Sequence, residues 1–331
     1  MTLESATTLT CVETLHRDNN EQLSTGELGW PLVESRQFKH LRGLGSGSFG
    51  RVFASKHPVD GSLVAVKAVD KYRTAGDIRT RKELLWSLRR EVETLASLQS
   101  AQSIVSLRGI YEDDKYAYIA MELCDKGDLQ TFLDSHTGPV PEVAVRVLFR
   151  QMLETIAYIH EENICYSDVK PANFLLKTVD LAQDPLGLEV KLADFGCSQE
   201  LSDDDFLTAR TGTPLYTAPE VYLGRYGLAA DMWGLGIILY RMLSGVFPFR
   251  PNLDKVAPFS MMMSVLHDKV SFQGNVWSQV SPEARDLVCK LLHRSLEKRI
   301  GAQEALEHPW FSVPLEMGPL SSKYTVIKQE L

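Results

Sequence analysis

Long apolar runs are missing from this sequence of 331 residues, although 44% of the residues are hydrophobic. No segment is therefore long enough to span a membrane. The N-terminal stretch lacks the basic start and apolar core of a signal peptide, and Glu4 and Glu13 argue against a transit peptide. Cysteine is scarce, odd in number and without metal-ligand spacing, which favours a reducing compartment. The five cysteines are Cys11, Cys124, Cys165, Cys197 and Cys289. We expect a cytoplasmic protein that does not bind membranes, with the nucleus as an alternative location.

Positive charge is also in short supply. The net charge of −8 and the isoelectric point near 5.6 argue against nucleic acid as the main partner. No D-x-[DN]-x-[DN]-G loop occurs, so we expect no intrinsic calcium binding. No shift in composition marks a second domain, and the length suits one large core. Residues 1–36 are predicted to be a flexible N-terminal arm, and residues 313–331 a short C-terminal tail.

A short stretch near the middle of the chain combines two acids, a lysine and an amide. Asp168-Val169-Lys170-Pro171-Ala172-Asn173 is followed by Asp194-Phe195-Gly196. Transfer of the γ-phosphoryl group of ATP requires such a set, because a base must orient the attacking hydroxyl, oxygen ligands must hold Mg²⁺ and a cation must balance developing charge. The order and spacing match the catalytic loop and the metal-binding triplet of eukaryotic protein kinases. The chain resembles that family here, and Lys170 is typical of its serine/threonine members.

A glycine-rich run, Gly45-Ser46-Gly47-Ser48-Phe49-Gly50, lies upstream of these motifs. The same spacing opens dinucleotide-binding domains, but those require a helix after the glycines. Here residues 51–54 and 63–69 read as two short strands, and Asp60-Gly61 between them is a hairpin signal. A Walker A loop is excluded, since Arg51 follows Gly50 where that loop needs lysine. The run therefore predicts a glycine flap on a β-hairpin, whose backbone amides approach phosphate oxygens.

Lys67 lies near the end of the second of these strands. Strand alternation puts Ala65 and Lys67 on one face, with a small residue over the adenine and a cation beside the phosphates. A lone strand lysine is more often a solvated edge residue, but its place downstream of the glycine run favours the functional role. Residues 81–98 carry apolar positions at close to helical period. On this control helix Glu91 is the predicted partner of Lys67, and Glu93, on the solvent side, is the competitor.

The resemblance covers a protein kinase domain at residues 37–312 and implies an α+β fold in two lobes. A β-rich N-lobe with one control helix would span about 37–122, and a mainly helical C-lobe about 126–312. The implied cofactors are ATP and Mg²⁺, and the implied partners are protein substrates. The resemblance implies that the catalytic residues are Asp168, which acts as the base, Lys170, Asn173, Lys67 and Glu91. The implied metal ligands are Asn173 and Asp194. The implied nucleotide-binding residues are Gly45, Ser46, Gly47, Ser48, Phe49, Gly50, Val52, Ala65, Lys67, the gatekeeper Met121, Glu122, Cys124, Leu175 and Asp194.

Other motifs extend the resemblance along the chain. Ala218-Pro219-Glu220 matches the end of the kinase activation segment, and Arg299 matches the arginine that pairs with its glutamate. Asp231 matches the buried aspartate that anchors the catalytic loop. The ending at residues 305–311 and the Met121-Glu122-Leu123-Cys124 stretch resemble calcium/calmodulin-dependent and calcium-dependent protein kinase catalytic domains.

The chain departs from the family pattern at several positions. Ser167 replaces the usual arginine that pairs with an activation-loop phosphate, and Ala209 stands at the usual phosphorylated position. We therefore expect activity without activation-loop phosphorylation. Ala172 and Arg241 stand where kinases that select basic substrates often carry glutamate, which leaves Asp128 and predicts mild selection of arginine. Arg241 would disfavour arginine two residues before the phosphosite if it faces the peptide groove; the alternative is that it turns away.

A basic cluster on and before the control helix predicts a docking surface for an acidic partner, although a solvated helix face is the default interpretation. Its members are Arg79, Arg81, Lys82, Arg89 and Arg90. Cys165 and Cys197 flank the catalytic segments, so a redox switch is one interpretation, and inert buried thiols are the other.

These features predict a serine/threonine protein kinase. A pseudokinase scaffold that binds nucleotide and partner proteins is the alternative. Tyr166-Ser167 favours the scaffold, but such proteins usually lose the strand lysine, the base or the metal aspartate, and Lys67, Asp168 and Asp194 are all present. A small-molecule kinase would lack the Ala218-Pro219-Glu220 segment.

Overall fold

The structure, a computed structural model, describes residues 25–46, 50–73, 80–136, 138–179, 187–202, 206–249 and 258–312. The chain divides into two compact units. Unit 1 comprises Met1–Asp125 with Asp194–Gly196, and unit 2 comprises Lys126–Ala193 with Cys197–Leu331. The predicted α+β class is confirmed, with an antiparallel sheet in unit 1 and mainly helices in unit 2. Gly47, Ser48, Phe49 and Arg79 lie outside the described residues, as do residues 1–24 and the predicted tail, 313–331.

Unit 1 is built on a five-stranded antiparallel sheet in the order β1-β2-β3-β5-β4. The strands are β1 (Arg42–Ser46), β2 (Gly50–Lys56), β3 (Leu63–Asp70), β4 (Leu107–Glu112) and β5 (Tyr116–Glu122). The predicted hairpin between β2 and β3 is confirmed. Its turn uses Gly61 at φ 72°, and the Ser62 N–H donates to Asp60 Oδ1 at 2.9 Å. A positive φ favours glycine, which explains why the Asp-Gly pair marks the turn.

Helix α1 (Arg81–Ser97) is the predicted control helix. Thr80 begins it with a capping box, in which the Thr80 hydroxyl accepts from the Glu83 N–H and the Glu83 carboxylate accepts from the Thr80 N–H. The apolar period seen in the sequence is buried, at Leu84, Leu88, Val92 and Leu95. Glu91 is buried on the same helix, whereas Glu93 is exposed. A buried carboxylate amid an apolar face requires a partner, and the site provides one.

Residues 25–33, which the sequence places in a flexible arm, are hydrogen-bonded to strand β4 of unit 1. The Glu112 N–H donates to Pro31 O at 3.0 Å, and the Val33 N–H donates to Glu112 O at 2.9 Å. Leu32 and Glu112 thereby form a parallel bridge at the open edge of β4. The prediction of a flexible arm is wrong for these residues, because an unpaired strand edge offers backbone groups that their sequence satisfies.

Unit 2 is mainly helical. Its helices are α2 (Leu129–Ser135), α3 (Glu142–Glu161), α4 (Pro219–Leu223), α5 (Ala229–Ser244), α6 (Pro258–His267), α7 (Pro282–Leu291) and α8 (Ala302–Leu306), and its strand pairs are β6 (Ile164–Cys165) with β9 (Gln199–Glu200) and β7 (Phe174–Thr178) with β8 (Leu188–Leu192). Helix α5 is buried on all sides and ends at Gly245, whose φ of 74° suits the left-handed cap. No helix in the described part of the chain is both long and apolar enough to cross a membrane.

Candidate active site

Strand register in unit 1 gathers four of the predicted nucleotide-binding residues on one face of the sheet. Val52 is paired directly with Lys67, and Ala65 with Met121. Directly opposite residues share a face, and Ala65 and Lys67 share a face by alternation. Val64 and Val66 point to the other face, where they join the apolar core of the unit. The small Ala65 therefore lies beside the half-buried Met121, and Lys67 beside Val52.

Lys67 connects two carboxylates in unit 1. Its Nζ lies 2.6 Å from Glu91 Oε1 and 3.0 Å from Asp194 Oδ1. Burial lowers the pKa of Lys67, but the attraction of Asp194 and Glu91 outweighs it and raises that pKa well above its ordinary value. Burial raises the pKa of Glu91, and the charge of Lys67 opposes the rise. The lysine therefore stays charged, as a phosphate-binding cation must.

The glycine run is described only at its two ends. Gly45 faces Val52 across the β1–β2 pair, and Ser46 faces Arg51; both Gly45 and Ser46 are exposed. A Cβ on Gly50 would lie 2.1 Å from Ala68 O, so no larger residue fits there. A Cβ on Gly45 would meet nothing within 4 Å, so this side of the strand is open. The first glycine thus leaves the backbone accessible, and the last allows close packing of β2 on β3.

Met121 and Glu122 end strand β5, and Cys124 follows. Glu122 is bonded twice to Ser106: its N–H donates to Ser106 O at 2.9 Å, and its Oε1 accepts from the Ser106 N–H at 2.8 Å. Both Glu122 and Cys124 are buried. These bonds fix the backbone of Glu122 at the end of the sheet. The contact of the Glu122 and Cys124 backbone with adenine stays a prediction.

The catalytic loop in unit 2 surrounds the Asp168 carboxylate with donors. Lys170 Nζ lies 2.5 Å from Asp168 Oδ2, and Thr213 Oγ1 donates to Oδ1 at 3.0 Å. Asn173 Nδ2 donates to the Asp168 carbonyl at 2.9 Å, which turns the amide nitrogen toward Asp168. Leu175 lies two residues farther on in strand β7, half-buried and bridged to Asp128. The structure thus brings Asp168, Lys170 and Asn173 into one cluster.

Asp231 holds the backbone of this loop from the start of helix α5. Its two oxygens accept the N–H groups of Tyr166 and Ser167, each at 2.8 Å, and His160 Nε2 lies 2.9 Å from Oδ2. Ser167 adopts φ 65°, an unfavourable angle for a residue with a side chain. Asp231 is almost fully buried, so its bonds to the loop are protected from water and stabilise this strained conformation.

The activation segment is anchored by aromatic and arginine side chains. Tyr226 forms an isolated bridge with Leu207, and its hydroxyl donates to Ala209 O at 2.8 Å. The same hydroxyl lies 2.9 Å from Thr211 Oγ1, and Arg225 stacks over Phe206 at 3.9 Å. No sequence motif marks Tyr226, because its partners are mostly backbone atoms. Asp203, Asp204 and Asp205 lie outside the described residues.

Gly212 allows the end of the activation segment to approach the catalytic loop. It has φ 90°, and a Cβ there would lie 2.6 Å from Ser167 O. Only glycine fits both demands, since a side chain would be strained and would collide with backbone. The neighbouring Thr213 consequently reaches Asp168.

Two arginines of unit 2 hold residues near the end of the activation segment. Arg299 forms a buried, bidentate pair with Glu220, the glutamate of the Ala-Pro-Glu motif. Arg241, on helix α5, pairs with Asp134 and donates to Gln130 Oε1 at 2.8 Å and to the Tyr216 hydroxyl at 3.0 Å. Arg241 is only 9% exposed, so the structure favours the alternative in which it is turned away from solvent and bonded within the protein.

Each of the two predicted metal ligands carries an oxygen donor that suits Mg²⁺. Carboxylate and amide oxygens are hard ligands, and Mg²⁺ is usually held by one or two carboxylates together with substrate phosphates. The Asp194 side chain is 49% exposed and bonded to Lys67. Asn173 directs its nitrogen to Asp168, so its Oδ1 is the atom suited to a metal. Within the described residues no group of three His, Cys, Asp or Glu side chains forms a dedicated cage.

The cysteines near the loop differ in burial. Cys165 is fully buried, and burial raises the pKa of its thiol well above the ordinary value, with the Asp231 charge adding to the rise. A thiol that stays protonated is a poor nucleophile, so a redox role for Cys165 is disfavoured. Cys197 is half-buried.

Fold, motifs and comparisons agree on one class of protein. The protein kinase domain family matches residues 38–311. The chain belongs to this family, and its relatives place it among the serine/threonine protein kinases.

Three curated proteins illustrate the similarity. The chain is 36% identical to rat serine/threonine-protein kinase D2 over 268 residues, which cover 81% of the chain and 29% of that protein. It is 34% identical over 285 residues to rice calcium/calmodulin-dependent serine/threonine-protein kinase 1, covering 83% and 45%. It is 34% identical over 270 residues to CDPK-related kinase 7 of Arabidopsis thaliana, covering 81% and 44%. The chain thus aligns with less than half the length of each.

Proposed function

We propose that this chain transfers the γ-phosphoryl group of ATP to serine or threonine hydroxyls of protein substrates, without activation-loop phosphorylation. The observation that carries the proposal is the intact cluster of Asp168, Lys170 and Asn173. The ion pairs of Lys67 with Glu91 and Asp194 add a charged phosphate anchor. A pseudokinase usually lacks one of these parts, and here each is present and bonded.

Each side chain has a role that its contacts suit. Asp168, an acceptor with two oxygens, would orient the substrate hydroxyl and take its proton, while Lys170 would balance charge on the transferred group. Lys67, fixed by Glu91, would hold the phosphates of ATP. Asp194 and Asn173 would hold Mg²⁺, which neutralises phosphate charge when bound.

Phosphotransfer to a peptide library tests the proposal directly. Asp168→Asn should lower the rate by about 10²- to 10⁴-fold, the usual contribution of a positioned base. Asp194→Ala should nearly abolish transfer, because it removes a metal ligand and charge neutralisation. Both variants should keep the melting temperature within a few degrees of wild type. A wild type that binds ATP yet transfers no phosphate would instead establish the scaffold function, and equal activity in all three proteins would indicate a contaminant.

Independence from loop phosphorylation is supported by how the segment is held. Tyr226 bonds the segment at Leu207, at Thr211 and at Ala209, the position where the family pattern would carry the phosphate. The Ser167 hydroxyl donates to Cys165 Sγ at 3.3 Å, and serine carries no positive charge that could pair with a phosphate. We infer that the hydrogen bonds of Tyr226 contribute to ordering the segment without a phosphate.

A docking surface on helix α1 is a second part of the proposal. Arg81 and Arg89 of the predicted basic cluster are bonded to Glu27. The outer face still presents Lys82 and Trp86, which is 59% exposed and stacked under Arg90 at 4.6 Å. Positive charge beside an exposed aromatic suits an acidic segment of a partner protein. A labelled peptide rich in Glu and Leu should bind wild type at low salt and lose affinity in Trp86→Ala; equal binding would exclude this surface.

A further inference from the structure

Residues 25–33 form a short, tightly folded segment, called here the N-terminal clamp. Its turn is closed by the Gly26 N–H, which donates to Trp30 O at 3.0 Å, and by a bridge between Thr25 and Pro31. Gly29 supplies the positive φ of 77° that the turn needs. Leu28 and Trp30 are buried. The clamp is thus a packed element that lies outside the residues matched by the kinase family, 38–311.

A buried carboxylate fastens the clamp to the sheet. Glu112, at the end of edge strand β4, is completely buried, and its Oε1 accepts the N–H groups of Leu28 at 2.8 Å and Trp30 at 3.1 Å. Its Oε2 accepts from Lys71 Nζ at 2.8 Å. A buried charge that lost these donors would be costly, so Glu112 strongly favours the bound clamp.

The clamp also holds helix α1 from outside. The Glu27 carboxylate pairs with Arg81 in the first turn of the helix. The Glu27 carbonyl accepts from Arg89 NH2 at 2.9 Å, two residues before Glu91. One clamp residue therefore contacts the helix at two points two turns apart, and a rigid helix fixed at two points cannot easily rotate or slide.

We propose that the N-terminal clamp is a positioning element of the active site, in which Glu27 holds helix α1 where Glu91 reaches Lys67. The inner face of the helix is held by apolar packing and the Lys67–Glu91 pair, and the outer face by Glu27. The Glu112–Lys71 pair, which lies on the sheet side of the clamp, is buried. The Glu27–Arg81 pair, which joins the clamp to the helix, is about 40% exposed and therefore weaker. The position of the helix thus depends on this weaker pair. The effect on phosphotransfer rests on the proposed function, whereas the effect on the helix does not.

A charge exchange in the full chain tests the role of Glu27. Glu27→Arg and Arg81→Glu should each raise KM for ATP by about two- to fivefold, the range for an exposed pair, with a smaller change in kcat. The double variant should recover at least half of the loss, since it restores opposite charges across the contact. Glu34→Arg is the matched control, because Glu34 is exposed, lies just beyond the clamp and pairs with Arg36 rather than with the helix.

Gly26→Ala tests the clamp as a whole without changing any charge. A Cβ on Gly26 would lie 2.4 Å from Glu112 Cδ, so the clamp must shift from its place. Amide hydrogen exchange of residues 81–97 should then become faster, and KM for ATP should rise at least as much as in Glu27→Arg. Gly301→Ala is the control, because a Cβ there meets nothing within 4 Å and its φ of −78° is ordinary.

Two outcomes would overturn the proposal. One is faster exchange of the Leu28 and Trp30 amides in Gly26→Ala while residues 81–97 exchange as in wild type. The other is a double variant of Glu27 and Arg81 no better than the worse single variant. If wild type transfers no phosphate, but Gly26→Ala still loosens helix α1 in exchange, the clamp stands and the proposed activity fails.

Discussion

Arg241 stands where related kinases often carry glutamate, and its contacts are those of a structural residue. The sequence predicts that it repels substrate arginine if it faces the peptide groove. In the structure its guanidinium is nearly buried and satisfied by Asp134, Gln130 and the Tyr216 hydroxyl. A buried charge that is already paired interacts weakly with groups in solvent, so we expect Arg241 to act on Tyr216 and helix α2 rather than on substrate.

We therefore expect Arg241→Glu to act on stability more than on selectivity. The new carboxylate would face Asp134 and leave Tyr216 without its donor, at a cost of about 1–3 kcal/mol, because the Arg241 side of the pair is buried although Asp134 is exposed. Thermal unfolding should show a lower melting temperature, with Lys269→Glu as the control, because Lys269 is exposed. On a peptide array that varies the second and third positions upstream of the phosphosite, Arg241→Glu should show the same profile as wild type. A gain of arginine selection in the variant would show that Arg241 contacts substrate directly.

Tyr111 gives the core of unit 1 a defined response to alkaline pH. Burial raises the pKa of Tyr111 to about 12, and the nearby Asp60 charge adds to the rise. In the unfolded chain the hydroxyl titrates near the ordinary value of 10. Between these values the unfolded state binds fewer protons than the native state, so stability falls as pH rises. Below pH 10 this contribution is fully present.

Tyr111→Phe should remove this pH-dependent contribution. The free energy of unfolding, measured in urea between pH 10 and 12, should fall less steeply for the variant than for wild type. At neutral pH the variant should be less stable by about 1 kcal/mol, because the hydroxyl lies 3.1 Å from His57 Nε2 and loses that bond. Identical pH slopes for the two proteins would rule out Tyr111 as the titrating group.

At the scale of elements, the activation segment depends on Tyr226. Protein made in bacteria and treated with phosphatase should keep most of its activity, because hydrogen bonds order the segment. Tyr226→Phe should lower kcat by about fivefold or more, since each lost bond costs about 1 kcal/mol. Tyr158→Phe, on helix α3, is the matched control. Loss of activity on phosphatase treatment, reproduced by Thr208→Ala, would show that a loop phosphate is required after all.

Helix α1 and the clamp define a functional element larger than the sequence pattern. The periodicity of residues 81–98 is helical, and the capping box at Thr80 and Glu83 explains where the helix begins. The clamp carries no comparable signal, because its contacts are made by backbone groups and by a distant carboxylate at Glu112. A fragment that begins at residue 38 would retain the helix but lose its outer contacts.

For the whole molecule, the similarity to calcium-dependent relatives raises the question of calcium. The sequence contains no calcium-binding loop of the D-x-[DN]-x-[DN]-G type. Phosphotransfer by the purified chain should therefore be unchanged by EGTA when Mg²⁺ is in excess, and should stop with EDTA, which removes both ions. A more than twofold loss in EGTA that added Ca²⁺ restores would contradict this expectation.

Local patterns in the sequence predicted the class of fold and the residues assigned to phosphotransfer. Catalytic side chains must stand at fixed spacing on a loop, strand or helix, so Asp168, Lys170, Asn173 and Lys67 could be assigned from local order. Strand alternation and helical period likewise predicted the β2–β3 hairpin and helix α1, because both are set by neighbouring residues. The roles of these residues stay predictions until they are measured.

The long-range partners of each side chain could be identified only from the folded chain. Arg241 could face substrate or Asp134, and residues 25–33 could be flexible or bound, with the same local sequence. The choice depends on groups more than 80 positions away, such as Glu112 for Leu28, whose approach no local pattern encodes. Burial then determines the pairing. A charge that the fold removes from water, such as that of Glu112, must have a partner.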